Sequence, residues 1–140
     1  MQPKANEGTK YTVLVVDDEI DNVNLLKRTL RKEYDVITAT SGFEALEILS
    51  SVDKEVALII SDQRMPGMSG VEFMAKTMEI HPWTVRILLT GYSDIDAMID
   101  GINKCELFQY VTKPWDPTEL KMIVDKAVES YVLKKKKNSL

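Results

Sequence analysis

The sequence predicts a single α/β domain in which helices cover both faces of a parallel β-sheet. Five apolar runs of strand length recur along the 140 residues, and helical patterns separate them. Strands that alternate with helices indicate βαβ units, which build parallel sheets. Three of the runs, with the letters VLVV, VALII and VRILL, hardly alternate with polar residues, as expected for central strands that are covered on both faces.

The predicted strands are short and are separated by polar or turn residues. They cover residues 11–16, 35–39, 56–61, 85–90 and 107–112. The run around Val36 and Ile37 is shorter and more polar than the others, so we expect it at an edge of the sheet.

Capping patterns mark three of the predicted helix starts. Two of them have the capping-box spacing, a serine followed three residues later by a glutamate: Ser41 with Glu44, and Ser69 with Glu72. The third start has Asp116 before Pro117 and Glu119, and proline favours the first helical position.

Apolar residues also recur at helical spacing between the runs. The longest stripe, in the last helix, consists of Leu120, Ile123, Val124, Ala127, Val128 and Tyr131. Shorter stripes are Val23, Leu26 and Leu30 in the first helix, and Val71, Met74, Ala75 and Met78 in the third. We expect these stripes to pack on the sheet, with the methionines filling the core rather than lining a cofactor site.

The composition fits one compact domain without a membrane span. Hydrophobic residues make up 44% of the chain and charged residues 29%, near the averages for globular proteins. No apolar run approaches the roughly 20 residues that cross a bilayer. The segment MQPKANEGTK has no apolar stretch after its lysines, so no secretory signal is predicted and a cytoplasmic location is expected.

Charge and cysteine content narrow the functional classes. The net charge of -4 disfavours direct nucleic-acid binding by this domain, since phosphate backbones attract basic surfaces. The local exception is the run of lysines from Lys134 to Lys137, which is either a solvated end or a contact with nucleic acid or lipid. The single Cys105 has no second cysteine to pair with, so we expect a structural role for it.

Charged residues follow three of the predicted strands. Asp17 and Asp18 come after the first run, Asp62 after the third, and Lys113 after the fifth. Ligand sites in open α/β sheets form at the carboxyl ends of the strands, so we expect these side chains to meet. Each acid alone is better explained as an exposed loop residue. Four charged groups converging at strand ends indicate a functional site.

Three carboxylates in one place require a cation. Two like charges about 4 Å apart repel by about 4 kcal/mol at an effective dielectric constant near 20. Carboxylates without histidine or thiolate neighbours suit Mg²⁺, which binds through carboxylates, waters and phosphate oxygens. Lys113 could neutralise a phosphoryl group at Asp62, and the hydroxyl of Thr90, at the end of the fourth run, could donate to it. Asp62 is therefore the predicted acceptor, through an acyl phosphate.

Four motifs together resemble the receiver domains of two-component response regulators, of the chemotaxis-regulator-like superfamily. They are Asp17-Asp18-Glu19, the segment SDQRMPGMSG from Ser61 to Gly70, Leu89-Thr90-Gly91, and the segment YVTKPW from Tyr110 to Trp115. The resemblance implies a flavodoxin-like fold of five βα units with strand order 2-1-3-4-5. It also implies an N-terminal extension over residues 1–10, a receiver domain over 11–133, and a basic tail or start of a linker over 134–140.

The resemblance implies a signalling switch that catalyses only its own phosphorylation and dephosphorylation. Asp62 would take a phosphoryl group from a phosphohistidine on a sensor histidine kinase or phosphotransfer protein. The implied Mg²⁺ ligands are the side chains of Asp18 and Asp62, the backbone carbonyl of Arg64, and Asp17 through a water molecule. Lys113 and Thr90 would contact the phosphoryl oxygens, and the Lys113-Pro114 peptide would be cis.

In the family, a conformational change links the phosphorylation site to an output surface. The ring at the position of Tyr110 turns inward when the hydroxyl of Thr90 moves toward the phosphoryl group; without the resemblance, Tyr110 would be a half-buried packing residue. The surface that changes is formed by the fourth helix, fifth strand and fifth helix, and would bind an output domain or partner protein or form a homodimer. Arg64 and Tyr92 occupy variable family positions, where we expect their bulk to slow hydrolysis.

Three other functions compete with the switch. A small Mg²⁺-dependent phosphatase with an aspartyl nucleophile would act on external substrates, but such enzymes generally need a lid, and no insertion is long enough to form one. A flavin-binding flavodoxin-like protein needs a phosphate-binding loop after the first strand, where the sequence DDEID would repel the cofactor. A degenerate receiver used for docking would lack an acid, the threonine or the lysine, and none is missing.

Overall fold

The computed structural model describes residues 10–91 and 94–138, and in this part of the chain five strands alternate with five helices. The strands are β1 (Thr12–Val16), β2 (Asp35–Ala39), β3 (Val56–Asp62), β4 (Val85–Thr90) and β5 (Gln109–Thr112). The helices are α1 (Ile20–Leu30), α2 (Gly42–Ser51), α3 (Gly70–Ile80), α4 (Ile95–Cys105) and α5 (Pro117–Asn138). Within these residues, no helix is both long enough and apolar enough to cross a bilayer.

All strand pairs are parallel, and the sheet has the order β2-β1-β3-β4-β5. The predicted fold class and the edge position of β2 are thus confirmed. The chain moves outward from β1 to β2 and then returns to β3 on the other side of β1. The order of the strands therefore reverses between β1 and β3, where open α/β sheets bind their ligands.

The central strands divide their side chains between two cores. Val13 and Val15 of β1 belong to the core under α1 and α5, whereas Leu14 and Val16 belong to the core under α2 and α3. This alternation follows from the two-residue period of a strand. Both faces of the sheet are covered, which explains why the runs of β1, β3 and β4 lack alternating polar residues.

The strand boundaries differ from the predicted ones by at most two residues. β1 begins one residue later, β5 begins two residues later, and β3 continues one residue further than predicted. The additional residue of β3 is Asp62, which pairs with Leu89 of β4. The backbone of the predicted acceptor is therefore held by the sheet rather than by a loop.

The three predicted helix starts are confirmed. Ser69 and Glu72 form a complete capping box at α3. Ser41 accepts a hydrogen bond from the amide of Glu44 at 3.0 Å, whereas the Glu44 carboxylate accepts from the amide of Thr40, one residue before the cap. At the start of α5 the aspartate cap and the proline in the first turn are also in place.

The stripe predicted for α3 describes only part of its buried surface. Val71 and Met74 are buried, but Met78 is only partly so. Phe73 and Thr77, which lie outside the predicted stripe, are fully buried. Since α3 also contacts α2 and α4, it buries a wider surface than a helix that packs on the sheet alone.

Helix α5 continues through the four lysines to Asn138. The ammonium group of Lys135 pairs with the carboxylate of Glu55, just before β3, and lowers the pKa of that carboxyl. Part of the lysine run thus packs against the domain as a helix.

Candidate functional site

The carboxyl ends of four strands meet at one edge of the sheet. Asp17 directly follows β1, Asp62 ends β3, Thr90 ends β4, and Lys113 directly follows β5. Thr90 is in register with the last residue of β5, so the ends of the strands lie close together. The predicted convergence of the site residues is a consequence of the parallel sheet.

Three carboxylates form a cluster at this edge. One oxygen from each of Asp17, Asp18 and Asp62 lies within 4.8 Å of the others. Asp17 and Asp62 are buried, whereas Asp18 is exposed. The donors are all hard oxygens, and the open side at Asp18 leaves room for water, so the cluster fits Mg²⁺ better than a metal that prefers nitrogen or sulfur.

Asp17 is the most constrained of the three acids. Its Oδ1 accepts from the amide of Glu19 at 2.9 Å, and its Oδ2 accepts from the side-chain amide of Asn22 at 3.2 Å. Burial raises the pKa of Asp17, and the nearby charge of Asp62 raises it further, against the opposing effect of the hydrogen bond from Glu19. These two hydrogen bonds orient the carboxylate toward the cluster.

A positive charge lies beside Asp62, as the cluster of acids requires. The Nζ of Lys113 lies 2.6 Å from Oδ1 of Asp62, whose side chain is only 6% exposed. The amide of Gln63 donates to the same oxygen at 3.0 Å. The lysine and the proposed acceptor are therefore already paired in the unphosphorylated protein.

Gly70 allows the end of β3 to pack tightly against the start of α3. A Cβ atom at this position would lie 2.3 Å from the carbonyl oxygen of Asp62 and 2.8 Å from Cδ1 of Leu88. The turn between them is closed by Gln63, whose carbonyl accepts from the amide of Gly70 and whose side chain accepts from the amide of Val71, each at 3.0 Å. Neither Gly70 nor Gln63 is a predicted site residue, although both lie in the SDQRMPGMSG motif.

The Thr90 hydroxyl bonds within its own loop, and the Tyr110 side chain is exposed. The hydroxyl of buried Thr90 donates to the carbonyl of Gly91 at 3.3 Å. Tyr110 is 43% exposed. The backbone carbonyl of Thr90 accepts from the amide of Lys113 at 2.9 Å, and the Lys113-Pro114 peptide is cis, as the resemblance implies.

Arg64 connects two loops beside the site. Its Nε lies 3.1 Å from Oδ1 of Asp94, the residue before α4. Asp94 was not predicted as a site residue, because no local pattern in the sequence joins it to Arg64. Tyr92, which was predicted to tune hydrolysis together with Arg64, lies outside the described residues.

Comparisons with known proteins agree with this geometry. The hydrogenase transcriptional regulatory protein HoxA of Cupriavidus necator is 44% identical over 122 residues, which cover 87% of this chain and 25% of HoxA. The DNA-binding transcriptional regulator NtrC of Escherichia coli is 34% identical over 120 residues, which cover 85% of this chain and 25% of NtrC. The chain thus spans about a quarter of the length of either relative.

A solved structure and a family profile extend the comparison over most of the chain. The signal receiver domain of an HD domain-containing protein from Pseudomonas fluorescens Pf-5 superimposes with a TM-score of 0.86 at 31% identity, and the match covers 96% of this chain and 98% of that one. The profile described as response regulator receiver domain matches residues 13–125. Such domains act as phosphoryl-accepting signalling switches in two-component systems. With its acids, threonine and lysine at the expected strand ends, this chain belongs to the response regulator receiver domain family.

Proposed function

We propose that Asp62 is the residue that accepts the phosphoryl group, from a phosphohistidine on a sensor histidine kinase or phosphotransfer protein. The observation that carries this proposal is the position of Asp62, which lies in the acidic cluster and pairs with Lys113 at 2.6 Å. An oxygen of Asp62 forms a bond to phosphorus while the bond from phosphorus to the histidine nitrogen breaks. The imidazole keeps the electron pair and later takes a proton from water.

The residues around Asp62 fit a Mg²⁺ ion. The proposed ligands are the side chains of Asp18 and Asp62, the backbone carbonyl of Arg64, and Asp17 through a water molecule. When bound, the ion neutralises charge on the transferring group. Asp17, held by Glu19 and Asn22, provides a fixed acceptor for the bridging water.

Two further side chains would contact the phosphoryl oxygens. The Nζ of Lys113 already contacts Oδ1 of Asp62. It can therefore follow the negative charge from the carboxylate to the oxygens of the phosphoryl group. The hydroxyl of Thr90 would leave the carbonyl of Gly91 and donate to a phosphoryl oxygen. A phosphoryl group carries about 1.5 to 2 negative charges, in place of the single charge of the Asp62 carboxylate, and brings three strong acceptors, which supplies the driving force for both changes.

The output surface in this proposal consists of α4, β5 and α5. Among the described residues, these elements expose the large apolar side chains of Ile99, Tyr110, Met122 and Leu133, and Phe108 is exposed directly before β5. Inward rotation of Tyr110, after Thr90 has moved, would change this surface at its centre. We propose that it binds an output domain or a partner protein, or a second copy of the domain, in the phosphorylated state.

A cytoplasmic location and the absence of external substrates belong to the same proposal. The relatives HoxA and NtrC are named as transcriptional regulators, and the present chain corresponds to their receiver part. Cys105 is buried and forms no disulfide within the described residues, which is compatible with a reducing compartment. Membership of the receiver family favours self-phosphorylation over a phosphatase that acts on other molecules.

Intact-mass measurement tests the proposal. The protein is incubated with Mg²⁺ and acetyl phosphate, and we expect a mass gain equal to one phosphoryl group. No gain is expected when Mg²⁺ is chelated before acetyl phosphate is added. Asp62→Asn is expected to show no gain. Asp35→Asn, which changes an acid at the amino end of β2 and so at the opposite end of the strands, should behave like wild type. A gain that persists in Asp62→Asn, or no gain in wild type, contradicts the proposal.

A further inference from the structure

Asp94 makes contacts that link the two loops flanking the proposed phosphorylation site. Its Oδ1 pairs with Nε of Arg64, in the loop that follows Asp62. Its Oδ2 accepts from the amide of Gly91 at 3.4 Å, and its own amide donates to the carbonyl of Gly91 at 3.1 Å. A single carboxylate, whose side chain is 13% exposed, thus joins the loop after β3 to the loop after β4.

These contacts take Asp94 away from the usual role of an aspartate at its position. Asp94 is the N-cap residue of α4, where aspartate commonly accepts a hydrogen bond from an amide in the first turn. Here the side chain makes no capping hydrogen bond. Asp94 therefore has two competing uses, the contact with Arg64 and Gly91 or the capping of α4.

The contact with Gly91 also reaches Thr90. The carbonyl of Gly91 that accepts from Asp94 also accepts from the hydroxyl of Thr90, at 3.3 Å. This is the hydroxyl that must move toward a phosphoryl group on Asp62. By binding both the amide and the carbonyl of Gly91, Asp94 stabilises the arrangement in which the Thr90 hydroxyl donates to that carbonyl.

Phosphorylation introduces a competing anion near Arg64. Arg64 lies two residues after Asp62, and a phosphoryl group carries more negative charge than the Asp94 carboxylate. A guanidinium that turns toward the phosphoryl oxygens releases Asp94, which can then cap α4. The output surface contains α4, so the release of Asp94 would reach it directly.

We propose that Asp94 is a positioning residue that, through Arg64 and Gly91, holds the loop of Thr90 in the unphosphorylated conformation. The inference rests on the proposed function, because it assumes that a phosphoryl group forms on Asp62. The ion pair is largely exposed on the arginine side, and such pairs change an equilibrium by only about 0.2–1 kcal/mol. A shift of this size alters a switch without determining whether the domain folds.

A double-mutant cycle measures the effect. Beryllofluoride, a mimic of a phosphoryl group on aspartate, is titrated with Mg²⁺ into wild type, Arg64→Gln, Asp94→Asn and the double variant by calorimetry. We expect Asp94→Asn to bind it about two- to five-fold more tightly than wild type, and the same substitution to give little gain in the Arg64→Gln background, where the ion pair is already absent. Asparagine keeps a side-chain oxygen at position 94, so the change removes the ion pair while leaving a residue that is able to cap α4.

Three results would overturn the inference: weaker or unchanged binding in Asp94→Asn, an equal gain from Asp94→Asn in the Arg64→Gln background, or the same gain in Lys54→Gln. The variant Lys54→Gln is the matched control, because it removes an exposed ion pair with Asp35 at the amino end of β2, far along the strands from the site. Circular dichroism of each variant checks that it is folded. If wild type itself does not bind beryllofluoride, the proposed function fails as well; if wild type binds and the cycle is additive, only the role of Asp94 fails.

Discussion

The ammonium nitrogen of Lys113 lies 2.6 Å from Oδ1 of Asp62, although Lys113 follows β5 and Asp62 ends β3, two strands that are separated by β4. The contact spans two strand positions because the side chain of a lysine is long and both residues are at the carboxyl ends of their strands. Asp62 is almost fully buried and carries a charge that Lys113 compensates. Stability and phosphoryl transfer therefore depend on the same ion pair.

Lys113→Gln should destabilise the protein by about 1–3 kcal/mol, because it leaves the buried Asp62 carboxylate without its cation. In the background of Asp62→Asn the same change should cost much less, since a neutral amide needs no counterion. Urea unfolding of the four proteins in this cycle gives the coupling free energy between the two residues. Equal costs of Lys113→Gln in both backgrounds would show that the pair contributes nothing.

Asp17 gives the domain a pH dependence in the absence of Mg²⁺. Its pKa is raised, mainly by burial, so the folded protein holds this proton more tightly than the unfolded chain does. The stability that results is present at low pH and is lost as the pH rises through the raised pKa. Asp17→Asn, which keeps the neutral form at all pH values, should therefore be more stable than wild type at pH 7 in EDTA.

The difference between Asp17→Asn and wild type should shrink as the pH falls toward the ordinary carboxyl range, about 4. Urea unfolding at several pH values measures it. With saturating Mg²⁺ we expect the order to reverse, because the ion stabilises the folded wild type by binding to it. A variant that is less stable than wild type in EDTA at pH 7 would show that burial does not govern this group.

Gly70→Ala should displace the end of β3. The added Cβ would come within 2.3 Å of the Asp62 carbonyl oxygen, and overpacking of this kind typically costs about 1–3 kcal/mol. We also expect slower phosphorylation from acetyl phosphate, because the acceptor moves with its backbone. Gly101→Ala is the matched control: its nearest obstacle is the end of the Leu107 side chain at 2.8 Å, which can move, so it should leave the phosphorylation rate unchanged.

Arg64 and Tyr92 are predicted to slow hydrolysis of the phosphorylated domain by hindering the attacking water. The double variant Arg64→Asn with Tyr92→Glu should lose its phosphoryl group faster, by about tenfold if the barrier falls by about 1.4 kcal/mol. The decay of the phosphorylated mass after removal of the donor measures this rate. Asp94→Asn separates the two roles of Arg64, since it removes the ion pair but keeps the bulk. An unchanged or slower decay in the double variant would refute the prediction.

The sequence could predict those parts of the site that follow from the ends of strands. Asp17, Asp62 and Lys113 each stand directly after or at the end of an apolar run, and a parallel sheet brings such positions together. The strand order itself came from the family resemblance, because apolar periodicity does not show which strands are neighbours. The predicted convergence of the strand ends and the strand order implied by the resemblance both agree with the observed sheet.

Other features depend on contacts between distant segments that no local pattern records. Arg86 lies in the apolar run VRILL yet is only 1% exposed, and its guanidinium donates to the Thr77 hydroxyl at 2.8 Å and to the Thr84 carbonyl at 2.6 Å. Burial lowers the pKa of Arg86. The contact of Arg64 with Asp94 also joins two segments that are distant in the sequence. Such residues are recognised only once the packing of the helices is known.

The central claim is that Asp62 itself carries the phosphoryl group, and locating the modified residue tests it most directly. After reaction with Mg²⁺ and acetyl phosphate, the protein is reduced with borohydride, which converts an aspartyl phosphate to homoserine, and is analysed by tandem mass spectrometry. We expect homoserine at position 62 alone. Homoserine at position 17 or 18, or at no position in a protein that has gained the mass of a phosphoryl group, would contradict the account.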